Sequence, residues 1–311
     1  MESKTSSPLA GRDPADFQFR FVIFEKRDYV AWITINRPEV LNCFNHQTLL
    51  ELTEAFRDAS FDDAISVIVL TGAGREAFST GADLKEQRQF IRRPQDYFKW
   101  MSAFIHLHWW IRNCGKPTIA RLNGMVVGGG NELNIACDLA VAAEHVTLRQ
   151  IGASNGSVAA GGATQWLPLI VGDRRAREIL FLNQPIPATK ALEWGWVNRV
   201  VPYEKLDQAV LELAEQLRQK LPECLRYTKA QLNFWRELSE ALTVHHARDW
   251  LAIHNLSPEV REAISAFVMK RRPDYQGLWE MLREPTYPFA WTPQDFEEAM
   301  GEDKKETETP S

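Results

Sequence analysis

At 311 residues, with 45% apolar residues and a net charge of −5, the chain has room for one large or two ordinary domains and enough apolar content to bury a core. The mild acidity and the lack of a basic stripe argue against nucleic acid as a partner. No apolar run reaches bilayer-spanning length, which argues against a membrane span.

Residues 1–16 are polar, carry both charge signs and lack the apolar core of a secretion signal, so they read as a flexible lead-in. Phe19–Lys26 and Tyr29–Ile35 are extended runs joined at Arg27-Asp28, a predicted hairpin. Asn45 is placed to cap a helix running to about Asp62, with Leu49, Leu52 and Phe56 at helical spacing. Val67–Leu70 is a continuous apolar run, as expected of a strand covered on both faces. Thr71–Gly74 reads as a turn, and Phe78–Leu84 as a small-residue stretch that leaves its backbone bare. The charged segment Lys85–Gln95 is expected to be a mobile surface segment, and Tyr97–Cys114 a helix.

Lys116–Asp138 is the most informative stretch. A strand over Thr118–Leu122 is followed by the turn signal Asn123-Gly124, and Gly128-Gly129-Gly130 precedes a helix carrying Glu132. Glycines at a helix start leave N–H groups uncovered, and the helix dipole makes that end positive. Such a place can hold an oxygen that becomes an anion, with a carboxylate nearby; equally, a glycine triplet can simply be a tight strand-to-helix turn.

Strands are predicted over Leu139–Ala142, Val146–Arg149 and Val197–Val200. Helices are predicted from Thr164, over Arg174–Leu182 and over Ala188–Trp194, with a Gly/Ala-rich loop at Gly152–Ala163. The alternation argues for an α/β core. From Tyr203 onward the pattern is helical: Leu206–Leu221, Cys224–Leu238, Leu242–Asn255 and Pro258–Phe267. The organisation expected is therefore a lead-in over 1–16, a core over 17–203, a helical region over 204–271, and an aromatic, proline-containing segment with an acidic tail over 272–311, the tail disordered. No internal repeat is visible. Cys43, Cys114, Cys137 and Cys224 show no CxxC or Cys/His spacing, so no metal site is expected, and reduced thiols suit a cytoplasmic location.

Over Phe21–Trp279 the chain resembles the crotonase (enoyl-CoA hydratase/isomerase) superfamily. The resemblance rests on ITINRPEVLNCFN, VIVLTGAGREAFSTGADLKE, KPTIARLNGMVVGGGNELNIACD, GGATQWLPLIVG, ARE-x-x-x-LNQPIPATKALEWGWVNRVVP and AISAFVMKRRPDY, in that order. It implies an α/β spiral of ββα repeats with a C-terminal helical region that builds homotrimers, often paired into hexamers. It implies an acyl-coenzyme A ligand and no cofactor besides the coenzyme A of the substrate. The matching oxyanion donors are the N–H groups of Ala82 and Gly129. Val40, Leu41, Thr80, Asp83 and Leu84 match positions along the adenine and pantetheine; Val40 and Leu41 can equally be core residues, and Asp83 a helix cap.

Hydratases of this superfamily use two glutamates. Glu132 matches the first, but Gly152 stands where the second is expected. The loop Gln150-x-Gly152 with Gly156-Ser157 resembles the branch containing naphthoyl-CoA synthases and ring-opening 6-oxocyclohex-1-ene-1-carbonyl-CoA hydrolases. It departs from that branch at Asn155, at Ala160 and in the GAD of the first oxyanion loop. The expected chemistry is water addition to an unsaturated, cyclic acyl-CoA, with ring C–C cleavage as a further step. Glu132 would be the acid/base, and Gln150, Gly152 and Asn155 would form the water-orienting loop, Gln150 and Asn155 through hydrogen bonds or, equally, as loop caps. A double-bond isomerase and a non-catalytic acyl-CoA-binding protein are the alternative readings. His106, His108 and Tyr97 are expected on the surface or in the core. Asp138 is read as structural, and Arg149 as a ligand-facing or salt-bridged cation.

Overall fold

The computed structural model describes residues 11–91 and 93–283. Of the segment expected over 272–311, residues 284–311, with the acidic tail, lie outside the described residues.

The predicted hairpin is present, with β1 (Val22–Arg27) antiparallel to β2 (Val30–Ile35). Its turn falls one residue later than expected, at Asp28-Tyr29, and Asp28 takes a left-handed φ of 55°. Asn45 caps α1 (His46–Phe61) by accepting the Thr48 N–H at 2.9 Å, and the helix buries Leu49, Leu52 and Phe56. In β3 (Val67–Gly72) every residue is buried, so Thr71 and Gly72 continue the strand instead of turning. After β4 (Ala77–Ser79), the charged stretch expected to be mobile is helical: α2 (Leu84–Gln87) and a 3-10 turn lead into α3 (Pro94–Asn113). Two anchors explain this. Glu86 accepts the His46 N–H at 2.9 Å, and Phe90 is buried against Tyr97, with ring centroids 5.7 Å apart.

The chain continues through β5 (Thr118–Leu122), β6 (Met125–Val127) and α4 (Gly129–Ala136). It then forms β7 (Leu139–Ala143), β8 (Thr147–Arg149), α5 (Ala163–Val171) and α6 (Asp173–Leu182). Next come β9 (Ile186–Pro187), α7 (Ala188–Glu193), β10 (Arg199–Val201) and α8 (Leu206–Arg218), whose buried Leu206, Ala209 and Val210 face the sheet. Last are α9 (Pro222–His254), α10 (Pro258–Val268) and α11 (Tyr275–Met281).

The strands form a six-stranded sheet, β1-β2-β3-β5-β7-β10, and a four-stranded sheet, β4-β6-β8-β9. β3–β4, β5–β6 and β7–β8 each place their first strand in the large sheet and their second in the small one, and a helix follows. This is the strand–strand–helix spiral that the resemblance implies, and it is a repeat of structure without a repeat of sequence. Strands of two or three residues in the small sheet leave no alternation to read, which is why β4, β6 and β9 were not expected.

Cys224–Leu238 and Leu242–Asn255 are not two helices but one, α9, of 33 residues. The polar gap in the apolar pattern is filled by a partner: Arg112 of α3, fully buried, pairs with Glu237 at 3.0 Å and with Glu240. No described helix is long and apolar enough to cross a membrane.

Candidate active site

Two turns meet at the centre of the molecule. The first, Ser79 to Ala82, is tied to the chain before α1: the Phe44 N–H donates to the Gly81 carbonyl at 2.8 Å, and the Asp83 N–H to the Phe44 carbonyl at 2.9 Å. The second, Gly128 to Gly130, opens α4. A Cβ on Gly130 would lie 2.2 Å from the Ser79 carbonyl oxygen, so only glycine lets the helix begin this close to the first turn. Among the described residues, neither the Ala82 nor the Gly129 N–H donates a hydrogen bond. Both residues line a cavity of about 600 Å3. Gly129 is the first residue of α4, so its amide stands at the positive end of the helix. Amides left free in this way can receive a carbonyl oxygen and stabilise it as it gains charge.

Glu132 lies one turn into α4, 5% exposed, on the wall of the same cavity. Its Oε1 accepts the Ala163 N–H at 3.3 Å. Burial pushes its pKa up to about 8, although the backbone amides of Ala163 and Gly161 pull the other way. A carboxyl near 8 exchanges its proton close to neutral pH, as a general acid/base requires.

The other residues singled out from the sequence also line this cavity: Val40, Leu41, Thr80, Asp83, Leu84, Gln150, Gly152 and Asn155. Leu41 is 37% exposed and left-handed (φ 54°), so it is not a core residue. Its carbonyl accepts both the Thr80 N–H at 3.2 Å and the Thr80 hydroxyl at 3.3 Å. Asp83 caps α2 by accepting the Lys85 N–H at 3.0 Å and pairs with the buried Arg37 at 2.8 Å. Arg37 also donates to the Cys43 carbonyl at 2.9 Å. One guanidinium therefore fixes the Val40–Leu41 turn against the Asp83 loop. Replacing Arg37 with Ala strands the Asp83 carboxylate; the expected cost is about 3 kcal/mol in denaturant unfolding, with a raised KM and little change in kcat.

Gln150 is buried, and its side-chain amide donates to the Gly128 carbonyl at 3.3 Å, bracing the glycine turn. Asn155 is exposed at the rim. Gly152 sits in a short 3-10 turn, where a Cβ would meet the Ser157 carbonyl oxygen at 2.8 Å. A side chain here fits only if the backbone at Ser157 shifts.

Arg149 does not line the cavity and, among the described residues, forms no ion pair; its Nε donates to the Asn183 carbonyl. Asp138 is structural as expected, accepting from the Thr118 N–H at 2.8 Å and from the Lys229 ammonium at 2.8 Å. His106 accepts from the Trp110 indole at 3.2 Å, away from the cavity. His108 is buried, with Nδ1 2.7 Å from the Phe104 carbonyl, and burial pushes its pKa down to about 3.

Tyr97 departs from expectation, because it lines the cavity together with Trp100, Met101 and Phe104. The i, i+3, i+4, i+7 spacing of these residues marks a buried helix face without saying what faces it. The far wall also escaped the sequence reading: Leu251, His254 and Asn255 at the end of α9, and Val260, Ile264 and Phe267 of α10. His254 stacks on Trp250, with ring centroids 4.3 Å apart, and burial lowers its pKa.

The family model described as enoyl-CoA hydratase/isomerase matches residues 25–278. Among solved structures, an enoyl-CoA hydratase from Bacillus anthracis is similar at 30% identity and a TM-score of 0.66, over 83% of this chain and all of that one. An enoyl-CoA hydratase from Mycobacterium avium subsp. paratuberculosis K-10 is similar at 25% identity and a TM-score of 0.74, over 82% of this chain and 98% of that one. A monofunctional enoyl-CoA isomerase from M. smegmatis is similar at 29% identity and a TM-score of 0.61, over 71% and 98%.

Proposed function

The chain belongs to the enoyl-CoA hydratase/isomerase family, and within it we propose an enzyme that adds water to an unsaturated, cyclic acyl-CoA thioester using one carboxyl group. The observation that carries this reading is the buried Glu132 on the wall of a cavity that also holds the free amides of Ala82 and Gly129. In this reading the thioester oxygen sits between the two amides, and the Val40–Leu41 turn with Thr80, Asp83 and Leu84 holds the coenzyme. The Glu132 carboxylate takes a proton from water as the water oxygen bonds to the β-carbon, and the electron pair of the double bond moves onto the thioester as an enolate. The α-carbon then takes the proton back from Glu132, so the net change is one water. The flat side chains of Tyr97, Trp100 and Phe104 support a ring as the acyl group, and hydrolytic ring opening would consume a second water.

A double-bond isomerase is the second reading. It is favoured by the filled space at Gly152, since one base shuttling one proton is sufficient for that reaction. Exposed apolar residues along α9, among them Leu232, Trp235 and Leu242, support self-association into a trimer.

Incubation with linear and cyclic enoyl-CoA thioesters in heavy water, followed by mass spectrometry, separates the readings. Gain of one water on a cyclic substrate, lost in Glu132→Gln, is the expected result. Deuterium uptake without added water would identify the isomerase. Binding with neither would leave an acyl-CoA-binding protein.

A further inference from the structure

We infer that the Tyr97 hydroxyl positions the nucleophilic water, in the role for which Gly152 leaves no side chain. This rests on the hydratase reading above. A water that gives one proton to Glu132 needs a second partner to aim its lone pair at the β-carbon. Gln150 has its amide on the Gly128 carbonyl, and Asn155 lies at the exposed rim. Tyr97 is different on each count. It stands in the first turn of α3, 6% exposed, on the cavity wall. Its ring is held edge-on by Phe90 at 5.7 Å and stacked on Trp100 at 6.0 Å, so its direction is set by packing.

Among the described residues the Tyr97 hydroxyl has no hydrogen-bond partner. Nor is it one of the polar atoms sealed from solvent without a partner, so it reaches open space. Burial, and after it the charge of Glu132, raises the Tyr97 pKa, so the group stays a neutral donor. A phenol hydroxyl on the cavity wall with no partner among the described residues is free to bond a molecule that enters the cavity.

The test compares the full-length protein with Tyr97→Phe, which keeps the ring and its packing. Cyclohex-1-ene-1-carbonyl-CoA and crotonyl-CoA are the kinetic probes. Hydration kcat is expected to fall about 100-fold with KM unchanged within about 3-fold, while Glu132-dependent exchange of the α-proton of butyryl-CoA in heavy water, which passes through the enolate but needs no added water, persists. Equal loss of hydration and exchange, or no loss of either, would overturn the assignment. Calorimetry supplies a readout that needs no turnover. The 3-hydroxyl of 3-hydroxybutyryl-CoA occupies the place of the added water, so the wild type is expected to bind it about 10-fold tighter than butyryl-CoA. In Tyr97→Phe that preference should vanish; a preference that survives the substitution would overturn the role. A wild type that shows the preference yet hydrates neither probe would sink the hydratase reading and leave the hydrogen bond of Tyr97 standing.

Discussion

Glu132→Gln is expected to lower kcat by about 10²–10⁴-fold on any thioester the wild type turns over, while binding of the thioester is retained. The wild-type kcat/KM should rise with pH and level off above about 8, because the carboxylate is the reactive form and burial has pushed its pKa up to about 8. A profile that falls through pH 8 would make the protonated form reactive and reverse the first proton transfer. The same pKa has a consequence for stability. A glutamate whose pKa is higher in the folded than in the unfolded chain holds its proton more tightly in the fold. Its contribution is therefore full below about 4.5 and is lost as pH rises to about 8. The Gln variant has no such loss. At pH 8.5 it should be more stable than the wild type, by on the order of 3–5 kcal/mol, and the difference should close as the pH approaches 4.5. Paired chemical denaturation at the two pH values checks this.

Gly130→Ala is expected to have the second large effect, without touching a polar group. The added methyl meets the Ser79 carbonyl oxygen at 2.2 Å, and the obstacle is backbone on both sides, so either α4 or the β4 turn must move. The cost to the fold should be about 1–3 kcal/mol. Because the Gly129 amide rides on the same turn, separating it from the Ala82 amide should lower kcat by about 10²–10³-fold. Unfolding curves and single-turnover rates separate the two effects. A stable, fully active Gly130→Ala would show that the spacing of the two turns does not set the oxyanion donors.

The parts of this molecule legible from residues alone are those with a local cause. β3 announces itself as an apolar run, α1 by its Asn45 cap, and the glycine turn by Gly128–Gly130, and each lies where expected. The residues matched to the oxyanion, acid/base, water and coenzyme positions line the same cavity. The misreadings have non-local causes. Lys85–Gln95 has the composition of a loop, but residues 85–91 are held helical by contacts to His46 and Tyr97. The break placed near Ser239 closes because Arg112, far away in sequence, supplies the missing partner for Glu237 and Glu240. Arg149 has charge enough for a ligand but is engaged by the Asn183 carbonyl. The far wall from α9 and α10 could not be placed from spacing, because helical periodicity reports that a face is buried and not against what.

The crowding at Gly152 limits what the position can accept. With the Ser157 carbonyl oxygen 2.8 Å from where a Cβ would sit, and the Ala159 nitrogen at 3.3 Å, the loop has closed over the space a carboxyl side chain would need. A single codon change to glutamate therefore meets a steric barrier before it can offer any chemical gain. Accommodating that side chain requires the loop from 152 to 159 to move. Gly152→Glu on its own is therefore expected to disturb the loop without supplying a second acid/base, and a chain that carries two carboxylates here needs the loop rebuilt together with the residue.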